Sequence, residues 1–363
     1  MIGWYIHHQG RGHLHRATAV ARAAAEAGLE ITGLSSLPEP TDWPGADWVQ
    51  LERDDTATRP EPRDATASGA LHWVPRHHPG LLRRSAQVSA WLDAARPALV
   101  VADVSVEMAL LVRLHGVPVV TVALPGDRTD RAHQLGYAVS ERVVGMWPAE
   151  AANMLHGAEA VHALGGLSRF APQSSPADAS SLPHAASRLH ASPLNLLPLD
   201  VLALNIVVLS GGGGGSVGSS SIARLRRMLP SAEIVILGGD GSWEHDPWPQ
   251  LVRADLVVTA AGQNSIAEVA ASRTPALVTA LDRPHQEQQR MLAALERGPW
   301  PAVRMPDPDD DTGWTEALTQ VLRRDGQDWS SWCDGGAAVR FADLLQDLVA
   351  QEAPHQPGME VNR

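Results

Sequence analysis

Short apolar segments alternate with helix-like stretches through the first half of the chain. The apolar segments are Ile2 to Ile6, Glu30 to Leu34, Ala98 to Ala102, Val117 to Val122 and Arg142 to Met146. The stretch Leu14 to Ala27 is rich in alanine and stops at Gly28, which is a helix stop signal. This alternation predicts a parallel sheet with helices on both faces, and it places the start of the first helix where open α/β sheets bind ligands.

The same alternation restarts in the second half. Strands are predicted at Asn205 to Ser210, Glu233 to Leu237, Asp255 to Thr259, Ala276 to Thr279 and Ala302 to Arg304, with a helix near Ser219 to Met228. The valine-rich run before Gly262 is typical of a strand buried on both faces of a parallel sheet. The predicted fold class is therefore α/β, with two Rossmann-like, doubly wound parallel-sheet domains.

Length and composition shifts set the expected domain bounds. At 363 residues the chain exceeds the size at which one core usually keeps growing. We expect a first domain at 1–171, a linker rich in Ser, Pro, Ala and His at 172–203, and a second domain at 204–334. A closing helix follows at 335–351, and then a disordered tail at 352–363. The Pro- and Asp-rich stretch 38–78 is either an acceptor-side loop or a surface insertion.

Charge and composition exclude several classes of partner. The formal net charge of −12 argues against nucleic-acid binding, which requires a basic face. The chain contains no lysine, so any cation that contacts a phosphate must be arginine. No apolar stretch reaches the roughly 18 to 20 residues of a membrane helix, and the N-terminus reads directly as a strand. We therefore expect a cytoplasmic protein.

Cysteine and histidine give no metal-site pattern. Cys333 is the single cysteine and has no second thiol with which to pair. His13 and His15 are close in sequence, but no carboxylate or cysteine stands near them at a zinc-ligand spacing. No metal is predicted.

The segment Ala254 to Leu295 carries the most informative motif. A buried strand stops at Gly262, and we expect Asn264 or Ser265 to cap the helix that follows. Gln263 lies in the turn between the strand and this helix. The N–H groups at that helix start can face a diphosphate. The acid and the amides that follow are Glu268, Gln288 and Gln289. The alternative is that Glu268 is a solvated helix residue and that the glutamines form a polar helix face.

A second glycine-rich turn follows the first strand of the second half. It consists of Gly211, Gly212, Gly213, Gly214, Gly215 and Ser216. Backbone amides between a strand and a helix can hold phosphate, although a flexible linker has the same composition. It is not a Walker A loop, because the required lysine is missing.

The first strand is followed by the turn His7 to Arg16. A dinucleotide fingerprint would need a third glycine where His15 stands, so NAD binding is disfavoured. Gly12 permits a tight turn, and His13 then opens the helix, where the helix dipole favours a neutral imidazole that can act as a base. Asp103, at the end of a predicted strand, either orients His13 or caps the helix that starts near Ser105.

These motifs, in this order, resemble glycosyltransferase family 28. The family has the GT-B fold, in which two Rossmann-like domains face each other across a cleft. By this resemblance Glu268 binds the ribose of a uridine nucleotide, Gln288 and Gln289 reach the ribose and sugar, and the Gly211 to Ser216 turn contacts the diphosphate. The closing helix is expected to return to the first domain.

The resemblance implies an inverting, metal-independent glycosyltransferase of the hexosyltransferase type, which takes a sugar from a nucleotide donor, expected to be a UDP-sugar. His13 is the expected base. Acceptor-side candidates are Arg16, Asp127 and Arg128, although Arg16 can equally be a surface residue of the first helix. The nucleotide-sugar is a substrate, so no cofactor is expected.

Two other functions fit the same motifs. One is a nucleotide-sugar hydrolase or epimerase on this scaffold, and the other is a non-catalytic nucleotide-sugar binding protein. Arginines beside Leu81 and Leu82 suggest transient contact with the inner face of the plasma membrane, for which a solvated helix start is the alternative.

Overall fold

A computed structural model describes residues 1–56, 63–173, 199–211, 215–239, 241, 244 and 246–352 of the chain. The expected tail, most of the expected linker and the three middle glycines Gly212, Gly213 and Gly214 lie outside these residues. Within them, no helix is both long and apolar enough to cross a membrane.

The first domain is built on a seven-stranded parallel sheet. Its part of the chain forms β1 (Ile2–Ile6), α1 (Gly12–Glu26), β2 (Ile31–Ser35), β3 (Asp47–Gln50), α2 (Pro79–Ala95), β4 (Leu99–Asp103), α3 (Val106–Leu114), β5 (Val119–Ala123), β6 (Gly126–Asp127), α4 (Arg131–Ala138), β7 (Arg142–Gly145), β8 (Leu155–His156) and β9 (His162–Ala163). The strand order is β3-β2-β1-β4-β5-β7-β9, while β6 and β8 form a separate pair.

The second domain has a five-stranded parallel sheet of order β11-β10-β12-β13-β14. Its elements are β10 (Asn205–Leu209), α5 (Ser219–Met228), β11 (Glu233–Leu237), α6 (Trp248–Leu251), β12 (Leu256–Ala260), α7 (Gln263–Ser272), β13 (Ala276–Thr279), α8 (Glu287–Arg297), β14 (Ala302–Arg304), α9 (Asp311–Val321) and α10 (Ala337–Glu352), with short 3₁₀ turns at Leu199–Val201, Pro284–Gln286 and Gly326–Ser331. Two doubly wound parallel sheets confirm the predicted fold class.

The last helix, α10, packs on the first domain rather than the second. Phe341 is fully buried, and its ring centroid lies 5.1 Å from that of Trp4 in β1. Leu345 and Leu348 join the same core cluster as Val20 of α1. Burying large side chains of this kind contributes roughly 1.5 to 3 kcal/mol each, so α10 ties the end of the second domain to the first.

The helix that follows β12 begins differently from the prediction. Gly262 is its N-cap, and neither Asn264 nor Ser265 caps it with a side chain; no described side chain does. The helix starts directly from the extended backbone of Gly262, so its first turn keeps N–H groups without intrahelical partners. From Ile266 to Ser272 every residue is buried, which holds this helix firmly against its sheet.

Candidate active site

A cavity of about 410 Å³ lies between the two domains, at the carboxyl ends of the strands. The turn after β1, the turn after β12 and the segment before α8 all contribute to its wall. Of the residues that the sequence selected, those lining it are Gly12, His13, Gly211, Gly215, Gly262, Gln263, Asn264, Ser265, Glu268 and Gln288. The fold thus brings residues separated by more than 200 positions to one cleft, because parallel strands end at the same edge of their sheets.

Two helix N-termini open on this cavity. Helix α1 begins after Arg11 and α7 begins after Gly262, and neither start has a side-chain cap. Each therefore presents unpaired N–H groups and the positive end of a helix dipole. Two such ends facing one space favour negative charge between them, in a chain that has no lysine.

The two helix starts also touch each other across the cleft. A Cβ added to Gly12 would lie 1.8 Å from Nδ2 of Asn264, far inside any real contact. A side chain at this position would therefore have to displace the Asn264 amide. Gly12 serves interdomain packing as well as the turn.

His13 is held by a buried polar chain that crosses the cleft. Its Nδ1 lies 2.9 Å from Oδ1 of Asp103, and the same oxygen accepts a 2.6 Å bond from Arg16. Arg16 also donates to Oε1 of Gln263 at 3.1 Å, and the Gln263 amide donates to the carbonyl of Met146. The chain fixes the imidazole ring and links α1 to α7.

Asp103 is completely buried and ionised. Burial by itself would raise its pKa, but the adjacent Arg16 guanidinium and the His13 imidazole lower the pKa below the usual value. A carboxylate on Nδ1 favours the tautomer with hydrogen on Nδ1, so Nε2 is the nitrogen able to accept a proton. Asp103 does not cap α3; Ser105 does, by accepting from the Met108 N–H.

Glu268 lines the cavity and is paired with an arginine from the other domain. The Arg169 Nε donates to Oε1 of Glu268 at 2.8 Å, and Arg169 lines the cavity as well. Burial raises the pKa of Glu268, and the arginine partly offsets this effect. Glu268 is only 9% exposed, which rules out the interpretation that it is a solvated helix residue.

The two glutamines hold a loop in place. Gln288 is buried and accepts the Leu281 N–H at 2.8 Å, while Gln289 is exposed and donates to the Leu281 carbonyl at 3.3 Å. Gln288 lines the cavity, whereas Gln289 is not among the lining residues. Their neighbour Glu287 does line it, and burial raises the pKa of this carboxyl group.

The glycine-rich turn contributes its two ends to the wall. Gly211 and Gly215 line the cavity together with Ser210 and Gly238. Ser216 does not line it; a Cβ on Gly239 would lie 2.7 Å from that of Ser216, so this serine packs against the neighbouring strand end.

A second cavity of about 600 Å³ lies in the first domain. Its apolar wall comes mainly from Leu71, Trp73, Val74, Leu81, Met108 and Leu111. His7 and His8 line one part of it, and Gln9 lines both cavities. The ring centroids of His7 and His13 are 5.6 Å apart, so the second cavity begins beside the imidazole of the first.

The remaining acceptor-side candidates lie outside both cavities. Arg16 is buried in the polar chain described above, and is not a surface residue. Arg128 is 5% exposed and donates to the Pro125 carbonyl, while the Asp127 carbonyl lies 3.2 Å from Nδ1 of His285. Asp127 therefore takes part in a contact between the domains, whereas the hydrogen bond of Arg128 stays within the first domain.

Sequence reasoning missed several cavity residues. Arg169 stands in a Gly-Gly-Leu-Ser-Arg-Phe phrase, and the two glycines before it signalled a special backbone but no partner. Arg11, Arg283 and Glu287 also line the cavity. Arg11 adjoins Gly12 and Glu287 adjoins Gln288, so extending those motifs by one residue would have found two of the four, while Arg283 lies five residues before Gln288.

Comparisons with known proteins bear on the fold. No family model and no curated protein matches the sequence. Among solved structures, MurG from Acinetobacter baumannii is 16% identical, with 95% of this chain and 99% of that one covered at a TM-score of 0.59. A glycotransferase of kitacinnamycin is 14% identical, with 96% and 98% covered and a TM-score of 0.59.

A putative UDP-N-acetylglucosamine 2-epimerase from Listeria monocytogenes is 11% identical, with 96% of each chain covered and a TM-score of 0.58. At such identities the likeness concerns the fold. The two parallel sheets, the cleft between them and the match over nearly the whole chain show that this protein has the GT-B fold and resembles glycosyltransferase family 28 in its architecture.

Proposed function

We propose that the protein is an inverting glycosyltransferase that takes a sugar from a nucleotide-sugar donor, with a UDP-sugar as the first candidate. The observation that supports this most directly is the convergence of two uncapped helix starts and the His13–Asp103 pair on one cavity. The helix starts suit the donor diphosphate, and the histidine suits the proton transfer. The solved GT-B glycosyltransferases share this architecture.

In the proposed reaction an acceptor oxygen attacks the anomeric carbon. The bond from that carbon to the phosphate oxygen breaks, and its electron pair leaves with the nucleotide diphosphate. His13 takes the acceptor proton on Nε2, and Asp103 stabilises the imidazolium that forms. The N–H groups of α1 and α7 stabilise the charge that develops on the diphosphate, so transfer proceeds without a metal at the sugar.

The donor extends from the second domain toward the first. Glu268 binds the ribose hydroxyls while Arg169 holds its carboxylate, and Gln288 with Glu287 contacts the sugar. The acceptor enters from the apolar second cavity, which meets the donor cavity at Gln9. An acceptor with an apolar body and a hydroxyl at one end fits that arrangement.

Nucleotide binding is tested first by thermal shift with UDP, GDP, TDP and NAD. We expect stabilisation by a nucleoside diphosphate and none by NAD. No shift with any nucleoside diphosphate would reject the donor site.

The reaction is then tested by nucleotide release from a panel of UDP-sugars, with and without apolar hydroxyl acceptors. We expect release to depend on the acceptor and to fall about 10²- to 10⁴-fold in His13→Ala. His162→Ala, on the exposed side of β9, should be unaffected. Release without any acceptor would indicate hydrolysis, formation of an epimeric nucleotide-sugar would indicate an epimerase, and undiminished release in His13→Ala would reject the base.

A further inference from the structure

Four metal-ligand side chains from distant parts of the sequence meet at the junction of the two domains. They are His72, Asp130, His133 and His285, and one ligand atom from each lies within 4.8 Å of all the others. Asp130 and His133 stand at the start of α4, and His72 lies in a loop of the first domain. His285 comes from the second domain. We call these four residues the junction cluster.

The distances within the junction cluster lie to either side of those in a tetrahedral zinc-type site. Oδ1 of Asp130 lies 3.3 Å from Nε2 of His72, while Oδ2 lies 2.6 Å from Nδ1 of His133, which is a hydrogen-bond distance, and 3.6 Å from Nδ1 of His285. Zinc bonds of about 2.0 to 2.1 Å in a tetrahedron place neighbouring ligand atoms about 3.3 Å apart. The imidazole centroids are 4.4, 4.9 and 6.1 Å apart, around the spacing of about 5 Å that three ligated rings would have.

The chemistry of the cluster also suits a divalent cation. Three imidazoles and one carboxylate form a common zinc ligand set. A metal-bound imidazole usually has a carboxylate or carbonyl facing its other nitrogen, and Glu107 faces Nδ1 of His72 at 3.9 Å. Asp130 supplies two oxygens to three rings, and Nδ1 of His285 also lies 3.2 Å from the Asp127 carbonyl, so a cation would replace that carbonyl as the partner of His285.

An adjacent positive charge affects how tightly the cluster would hold a cation. Arg128 opposes binding, because its guanidinium lies 3.4 Å from Nε2 of His133, so we expect weaker affinity than in a site without an adjacent cation.

We propose that the junction cluster binds a zinc-type divalent cation that fastens the two domains together beside the cleft. Three ligands belong to the first domain and His285 belongs to the second, so binding favours the arrangement in which the domains approach. His285 adopts a left-handed backbone with φ +61°, a conformation that non-glycine residues rarely adopt. Arg283 and Glu287, two residues to either side, line the donor cavity, while His72 lines the second cavity.

No local sequence pattern indicated this site. Only Asp130 and His133 are close in the chain, and an Asp-x-x-His pair is too short to identify a metal site. The sequence predicted no metal in this chain, and the proposed site departs from that prediction; the proposed cation takes no part in the sugar transfer. The inference therefore stands or fails separately from the glycosyltransferase proposal.

Metal titration of the full-length chain tests whether the junction cluster binds a cation. After treatment with a chelator and its removal, the protein is titrated with Zn²⁺ by calorimetry and with Co²⁺ by visible absorption, in which a tetrahedral site gives intense bands. We expect one equivalent per chain. His285→Ala and His133→Ala should each weaken binding beyond the roughly 10- to 100-fold that loss of an outer partner costs. His115→Ala, at the exposed C-cap of α3, is the matched control and should bind as the wild type does.

A further variant separates loss of a ligand from loss of the fold. His285→Cys keeps a zinc ligand at the same position, so it should retain tight binding with a cobalt spectrum shifted by the thiolate. Unchanged binding in His285→Ala would overturn the proposal, as would the absence of stoichiometric binding by the wild type. So would binding that depends on His8, which lies beside Asp54 and Asp55 in another candidate group, rather than on His285.

Hydrogen exchange tests whether the bound cation joins the two domains. Zn²⁺ should slow amide exchange in both 126–138 and 281–290 in the wild type, and in neither segment in His285→Ala. Protection of 126–138 alone would show that the first domain holds the cation without the second, and would overturn the proposal that the cation joins the two domains.

Discussion

The substitution Asp103→Asn should damage both the stability and the chemistry of the protein. Asp103 is fully buried, and one oxygen serves both His13 and Arg16. The amide keeps the shape but leaves the Arg16 guanidinium, which is 4% exposed, without its counter-charge. Leaving one member of a buried ion pair unpaired costs about 3 to 5 kcal/mol, so the free energy of unfolding should fall by that amount.

The chemical loss follows from the other partner. Without the carboxylate, His13 loses the group that fixes its tautomer and stabilises its imidazolium. Losses of this kind reduce kcat by about 10²- to 10⁴-fold, which corresponds to roughly 3 to 5 kcal/mol of transition-state stabilisation. Urea unfolding measures the first effect, and the initial rate of nucleotide release measures the second. Imidazole ¹⁵N NMR reports the tautomer independently of any acceptor.

A double variant separates the two effects. Asp103→Asn with Arg16→Met removes both buried charges, so much of the lost stability should return, while kcat should stay low because His13 still lacks its carboxylate. If Asp103→Asn alters stability but leaves both kcat and the His13 tautomer unchanged, then Asp103 is only a structural ion-pair partner and the assignment of His13 as base loses its support.

Three further outcomes are expected. Glu268→Gln should raise the KM for the donor more than it lowers kcat, because the neutral amide binds ribose hydroxyls and Arg169 more weakly; steady-state kinetics measures this. Gly12→Ala should force Asn264 away from its contact at the helix starts, and so lower both donor affinity and the melting temperature, which titration and thermal unfolding measure. Stability should fall with pH below about 6.5, because burial lowers the pKa of His7 to about 3 and the unfolded chain then binds the additional proton. The slope should reach up to about 1.4 kcal/mol per pH unit between those values, and urea unfolding of His7→Asn should show a flatter profile.

Each of these predictions has a matched control. Glu296→Gln removes an exposed carboxylate that also pairs with an arginine, and should leave the KM unchanged. Gly218→Ala adds a Cβ whose nearest neighbour is 3.7 Å away, so it should be tolerated. His115→Asn changes an exposed histidine and should keep the wild-type pH profile. Equal effects in a variant and its control would contradict the corresponding prediction.

The sequence determined the elements and selected many of the residues that line the cavity between the domains. Short valine-rich apolar runs such as that of β12 (Leu256–Ala260) favour buried strands, and glycine turns after strands place helix starts at one sheet edge. These signals are local, because strand burial, helix stops and turn glycines each depend on a few neighbouring residues. For that reason the bounds of β11, β13, β14 and α5 were predicted as they are observed.

Only the tertiary structure decided which side chains meet across the cleft. The pairing of Arg169 with Glu268, the bond from Arg16 to Gln263 and the approach of His285 to Asp130 join residues about 90 to 250 positions apart. No local pattern encodes such pairs, because they depend on how two separately patterned sheets pack against each other. The sequence indicated what a donor pocket would contain, and the packing of the domains determined how His13 is held and placed the junction cluster beside it.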